Sequence, residues 1–283
     1  MSRLRTVLLT TIAMTAFAGN SLLCRAALRD TDIDAATFTS VRLVSGALML
    51  WLLLSVRGNR APLKQGSWGS ALALFVYAGA FSYAYGGLSA AMGALLLFGA
   101  VQATMISIGI VRGTRPHLWQ WVGFVVAFSG LVGLLLPGLT APPLFSSLLM
   151  ISAGIAWGVY SLRAKGAGEP TAVTTGNFVR AVPMALALSL VMTASARIDL
   201  AGMGYAVASG AIASGMGYAI WYMALPLLQP TSAATVQLSV PVIAAIGGVL
   251  LLSEPLTLRL VIAGIAILGG IAIVIRGGEK KPA

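Results

Sequence analysis

Three arginines stand inside or beside apolar stretches of this 283-residue chain: Arg25, Arg42 and Arg180. A charge in hydrocarbon is costly, so each such residue needs a partner or a purpose. Arg42 and Arg180 admit two readings. In one, either attracts the carboxylate of a small solute. In the other, each snorkels to a nearby helix end and pairs with backbone carbonyls or local acids, Asp34 or Asp32 for Arg42 and Glu169 for Arg180. Their positions are duplicated, which suits a fold constraint better than an asymmetric solute.

Uncharged polar and aromatic residues offer a second kind of chemistry, recognition without charge. Asn20, Gln102 and Gln237 are primary amides within apolar runs, and each must face a cavity or another helix. Phe98 and Gln102 are four apart, as are Gln237 and Pro241, so each pair shares a helical face. Pro241 cannot donate to the carbonyl of Gln237, which predicts a kink where carbonyl and amide are both available. Aromatics gather at Tyr77, Phe81, Tyr83 and Tyr85, at Trp157 and Tyr160, and at Tyr218, Trp221 and Tyr222. From these, Asn20, Tyr83, Gln102, Trp157, Tyr218 and Gln237 form the candidate solute site. The competing role for the amides is interhelical hydrogen bonding, and for the rings plain packing.

Other chemistries lack residues. The acids Asp30, Asp32, Asp34, Glu169, Asp199, Glu254 and Glu279 all fall in or beside connections. No carboxylate sits where a proton could be exchanged for a cationic solute in mid-membrane. Lysines are confined to Lys64, Lys165, Lys280 and Lys281, and the one histidine, His117, belongs to a loop. A metal site, a catalytic triad and a Schiff-base cofactor therefore have no support, and no enzyme or cofactor is expected. The single cysteine, Cys24, rules out an intramolecular disulfide framework.

The elements that must position these residues follow from composition. Hydrophobic residues make up 58% of the chain and charged ones 9%, against roughly 25% charged in soluble domains. Apolar runs fall near 6–28, 35–56, 69–88, 90–111 and 119–136, then 146–162, 176–196, 202–225, 231–252 and 257–275. Each is about 17–25 residues, enough to cross a bilayer as a helix. The expected fold is all-α, with ten transmembrane helices. The first run follows Arg3 and Arg5 as in a signal peptide, but its length predicts a retained helix.

The net charge of +11 is sorted by side. Arg3, Arg5, Arg57, Arg60, Lys64, Arg112, Arg115, Arg163, Lys165, Arg276, Lys280 and Lys281 fall on one side of the ten-span scheme. Only Arg29, Arg197 and Arg259 fall on the other. Twelve against three places both termini in the cytoplasm. The basic charge is thus a topology signal with lipid headgroups as partner, and nucleic acid is not expected.

The two halves repeat. Arg25-Ala26 and Val41-Arg42 recur as Arg163-Ala164 and Val179-Arg180, displaced by 138 positions. Five spans per unit is odd, so the second copy enters the membrane upside down. The expected units are 1–140 and 141–283, with a solute site at their interface near the midplane, as in inverted-repeat carriers.

Several motifs carry a family resemblance. Ala18-Gly-Asn-Ser21 precedes Arg25, and Arg42 is followed by Ser45, Gly46 and Ala47. Gln237-Leu-Ser-Val-Pro241 leads through Gly247-Gly248 to Ser253-Glu254-Pro255-Leu-Thr257, and a last helix carries Gly264, Gly269 and Gly270. The chain resembles the drug/metabolite transporter superfamily, specifically its EamA-type ten-helix carriers. Its aromatic content and lack of buried acids are most similar to bacterial amino-acid exporters. It departs from internal symmetry at Gln102 against Pro241 and at Arg115 against Glu254. The resemblance implies alternating access in a bacterial inner membrane. The expected function is export of a small neutral or zwitterionic metabolite, an amino acid with an apolar or aromatic side chain. A drug or quaternary-amine exporter and a non-transporting scaffold are the alternatives; oligomeric state is left open.

Overall fold

Polar caps and apolar runs divide the chain into rods. The computed structural model describes residues 3–56, 65–113, 116–136, 138, 141–164, 167–228, 233 and 236–277, and no strand occurs among them. In the first half are α1 (Arg3–Asp30), α2 (Ala35–Val56), α3 (Trp68–Tyr85), α4 (Ala90–Val111) and α5 (Leu118–Leu135). The second half holds α6 (Leu144–Ala164), α7 (Pro170–Val191), α8 (Leu200–Val207), α9 (Gly217–Ala224), α10 (Ser239–Leu252) and α11 (Leu258–Gly277). A π-helical stretch, Ala208–Met216, joins α8 to α9 without a break.

Seven of these helices are long and apolar enough to cross a membrane: α1, α2, α4, α5, α6, α7 and α11. The ten expected rods therefore divide unequally. α3 has 18 residues but carries Ser70, Ser82 and three tyrosines. The eighth run is divided by its π stretch, and α10 is 14 residues long.

α7 departs most from expectation. α7 begins at Pro170 rather than 176, because Glu169 accepts from the N–H groups of Thr171 and Ala172 as N-cap and Pro170 occupies the first turn. The polar Thr171, Thr174, Thr175 and Asn177, which broke the apolar pattern, are buried inside the bundle. α10 runs from Ser239, and the described residues Ala233, Val236 and Gln237 ahead of it are also helical, with a turn at Leu238 between. Pro241 lies in the first turn of α10, four residues after the helical Gln237, and the helical path is interrupted at Leu238 just ahead of the proline.

The molecule is apolar outside and comparatively polar within. Leu118, Val125 and Phe128 of α5 are exposed, while Thr39, Ser82, Ser147, Ser209 and Ser214 have no accessible surface. Such a surface suits lipid, in which apolar side chains need no cover and polar ones need partners. α5 packs on α11 through glycines: a Cβ at Gly270 would lie 2.5 Å from the Gly123 carbonyl and from the Ala127 nitrogen.

Helix pairing is two-fold. α2 packs on α7 and α5 on α11, while α1 against α9 and α10 mirrors α6 against α3 and α4. Of the basic residues behind the topology expectation, Arg57, Arg60, Lys64, Arg115, Lys165, Lys280 and Lys281 lie outside the described residues, as does Glu279.

Candidate functional site

Small residues on α1, α3, α4 and α6 bring aromatic side chains together where the halves meet. Trp157 of α6 is the centre, with ring centroids 4.8 Å from Tyr77, 5.3 Å from Tyr160 and 5.2 Å from Tyr218. Phe17 meets Tyr218 edge-on at 5.6 Å. Phe17, Tyr77, Trp157 and Tyr218 line a cavity of about 20 Å³ together with Phe81, Leu97 and Phe98, with Asn20 and Gln237 as its amides. That is room for about one water.

The structure brings four of the six candidate residues to this cavity: Asn20, Trp157, Tyr218 and Gln237. Gln102 is buried one turn beyond Phe98 and does not line it. Tyr83 is half-buried on another face of α3, and Tyr77 and Phe81 stand at the wall instead. Repeat equivalence to Tyr218 therefore did not give Tyr83 the same neighbours. Phe17 and Leu97 went unremarked in the sequence; Phe17 could have been found from its place one turn before Asn20.

The amides are held differently. Asn20 Oδ1 accepts from Ser209 Oγ at 2.8 Å and from Ser214 Oγ at 3.3 Å, both on the π-helical stretch. That extra-wide turn carries both hydroxyls to one oxygen, a local use of π geometry at a site. Gln237 Nε2 donates to the carbonyl of Ala233 at 3.3 Å.

Arg42 lies one ring behind the cavity. It is 2% exposed, the largest side chain so fully buried. Its Nη2 donates to Tyr77 Oη at 2.9 Å and reaches Ser214 Oγ at 3.5 Å. The guanidinium carbon is 5.2 Å from the Tyr77 ring centroid and 4.8 Å from that of Phe81. Nη1 has no hydrogen-bond partner, and no carboxylate among the described residues pairs with this cation. The pairing with Asp34 or Asp32, one alternative that the sequence offered, is not formed. Asp34 instead caps α2, accepting from Ala36, Thr37 and Arg197. Cation–π contact and one phenol offset only part of the cost of burying a charge, which is several kcal/mol.

Arg180, its repeat equivalent, has a different environment. Nη1 donates to the carbonyls of Gln65 at 2.7 Å and Gly176 at 2.9 Å. One arginine of the duplicated pair thus braces backbone, while the other faces rings.

A third arginine closes one end of the bundle. Arg25 Nε pairs with Glu254 Oε1 at 2.9 Å, and Arg25 Nη1 donates to the Tyr85 carbonyl at 2.9 Å. Glu254 Oε2 accepts from the Ala90 N–H at 2.8 Å, at the start of α4. α1, the α3–α4 turn and the α10–α11 connection meet at this carboxylate. Sequence reasoning placed Glu254 in a connection and missed the pairing; the asymmetry of Glu254 against Arg115 was the available sign.

An inside-out helical bundle with a polar-tipped aromatic cavity at the meeting of two similar halves defines an integral membrane transporter. The EamA-like transporter family model matches residues 4–136 and again 144–276, so the chain belongs to that family. Among curated relatives, an uncharacterized protein of Pseudomonas aeruginosa, PA1977, is 57% identical over 271 residues, covering 96% of this chain and 94% of that protein. The uncharacterized transporter YoaV of Bacillus subtilis is 21% identical over 253 residues, covering 85% and 87%. A solved crystal structure, 18% identical, superposes with a TM-score of 0.69 over 96% of this chain and 98% of the other, a likeness of fold.

Proposed function

We propose that the protein exports a small metabolite, an amino acid with an apolar or aromatic side chain, by alternating access across a bacterial inner membrane. The observation that carries this reading is the cavity itself. Its walls come from both halves, α1, α3 and α4 on one side, α6, α9 and the approach to α10 on the other. Amides stand ready for a polar head and rings for an apolar tail, the composition of a small-molecule site. The units 1–140 and 141–283 are taken as inverted repeats with both termini cytoplasmic. The two-fold helix pairing supports that division, since rocking of one repeat against the other would open the cavity to either side.

A quaternary-amine exporter would use the same rings for cation–π contact. The buried Arg42 charge beside them repels such a solute. A scaffold would need no solute, so flux decides against it.

Purified protein in liposomes, loaded with a panel of aromatic and branched amino acids and quaternary amines, tests the reading. Efflux of amino acids above empty liposomes is expected. Efflux of the amines alone would replace the proposed solute class, and absence of all efflux would favour the scaffold.

A further inference from the structure

The two arginines of the repeat have diverged, and only one is satisfied. Arg180 donates to two backbone carbonyls. Arg42 carries its charge into the bundle at 2% exposure, with Nη1 unpartnered and only Tyr77 and Ser214 on Nη2. A guanidinium is a rigid fork of donors that matches a carboxylate with two parallel bonds. A buried fork with one prong idle, and no acid among the described residues paired with it, has the form of half a pair. An anion that comes and goes would complete it.

The route from Arg42 to the cavity is direct. Tyr77 joins it at one side, its hydroxyl on Nη2 and its ring in the cavity wall. Ser214 meets the same Nη2 and passes a hydrogen bond to Asn20, which also lines the cavity. Phe81 lies under the guanidinium at 4.8 Å and closes the wall between. The cavity of about 20 Å³ is too small for any solute of this kind, so binding belongs to a wider state in which these rings part. Their separation would open a path to the guanidinium.

We propose that Arg42 is the carboxylate-binding residue of this carrier, aligned by Tyr77, and that the solute it selects is a monocarboxylate with an aromatic or branched apolar tail. This rests on the carrier reading above and assigns recognition to the carboxylate, the group that an amino acid shares with its deaminated acid. One cation balances one negative charge, which favours a carboxylate over a phosphate dianion. An ammonium group adds nothing, because no acid among the described residues lines the cavity to receive it. The deaminated acid is therefore bound at least as well as the amino acid. A negative-inside potential pushes such an anion outward, so export needs no counter-ion.

Calorimetric titration of the full-length protein in detergent tests this with four probes of one shape: hydrocinnamate, phenylalanine, hydrocinnamamide and phenethylamine. Hydrocinnamate is expected to bind at least tenfold more tightly than the amide or the amine, and no more weakly than phenylalanine. In Arg42→Gln that preference falls to within threefold. Tyr77→Phe and Arg42→Lys, which keep the ring or the charge, weaken hydrocinnamate severalfold and leave the amide unaltered. They carry the test where Arg42→Gln does not fold. Arg42→Met, which removes an unpaired charge, keeps the unliganded melting point at or above that of the parent; a purely structural arginine would lower it. Amide or amine binding equal to hydrocinnamate overturns the proposal. So does absent hydrocinnamate binding, or phenylalanine binding tenfold more tightly, or an unaltered hydrocinnamate affinity in both Tyr77→Phe and Arg42→Lys. The carrier reading is judged separately by flux. Flux indifferent to Arg42 retains the carrier and removes the subsite, while carboxylate binding without flux retains the subsite and removes the carrier.

Discussion

Gln237 and Gln102 look alike in the sequence, each an amide in an apolar run, but their surroundings separate them. Gln237 lines the cavity and makes a 3.3 Å bond to Ala233; Gln102 is 6% exposed and lies a turn away from the wall. Losing a cavity-facing amide leaves space for water rather than an orphaned partner. Gln237→Ala is therefore expected to reduce transport about tenfold or more, with stability altered by no more than about 0.6 kcal/mol, an average interhelical bond. Gln102→Ala should do the reverse, lowering the melting point while sparing flux. Trp157 is less separable, because it packs against three rings, stacked on Tyr160 and Tyr218 and tilted to Tyr77, that would lose about 0.5–1.5 kcal/mol each with it. Trp157→Phe keeps part of that stack and is the better probe of solute contact. Melting curves and liposome efflux on the same preparations check all three. Equal flux in the parent, Gln237→Ala and Trp157→Phe would move the solute elsewhere.

At the scale of elements, apolar length located the rods well and their ends less well. α2 and α4 begin and end where hydropathy places them, because their flanking residues are polar. α7 was displaced because a buried face can be polar inside such a bundle, so threonines and an asparagine read as loop. The end of α1 and start of α2 show the same dependence on caps. Asp34 accepts from the N–H groups of Ala36 and Thr37 at 2.9 and 3.0 Å, and its Oδ2 accepts from the N–H of Arg197 at 2.8 Å. Burial works against this carboxylate, but the hydrogen bonds together outweigh it and hold its carboxyl below the ordinary aspartate range. A lowered folded value means stability that is present above the unfolded value of about 3.9 and lost as pH falls through the folded one. Asp34→Ala should cost about 1 kcal/mol near neutral pH, the usual worth of an N-cap. The parent and variant should converge in acid, and a gap in melting point independent of pH would remove the carboxylate from the account. The α5–α11 contact makes a second prediction. Gly270→Val places carbon against Gly123 and Ala127 backbone and should destabilise by about 1–3 kcal/mol.

Over the whole molecule, the repeat carried more information than any single motif. It located the cavity at the junction of halves, yet could not tell which arginine of the pair would be left unsatisfied, since that depends on the neighbours each meets. Coupling is also a property of the whole. Of the acids in the described residues, Glu254 is buried, and it is engaged by Arg25 and by the Ala90 N–H at one end of the bundle rather than at the cavity. A proton-coupled carrier needs an acid that changes protonation where the solute binds. None lines the cavity. Transport is accordingly expected to run down the solute's own electrochemical gradient in liposomes with equal pH on both sides. Glu254→Gln should weaken the closed end, lowering stability by about 1.5–3 kcal/mol for the lost charged hydrogen bonds, but leave flux independent of an imposed pH gradient. Flux that vanishes without a proton gradient would contradict this. If Glu254→Gln also abolished that dependence, the coupling group would be the carboxylate that joins α1, α4 and the α10–α11 connection.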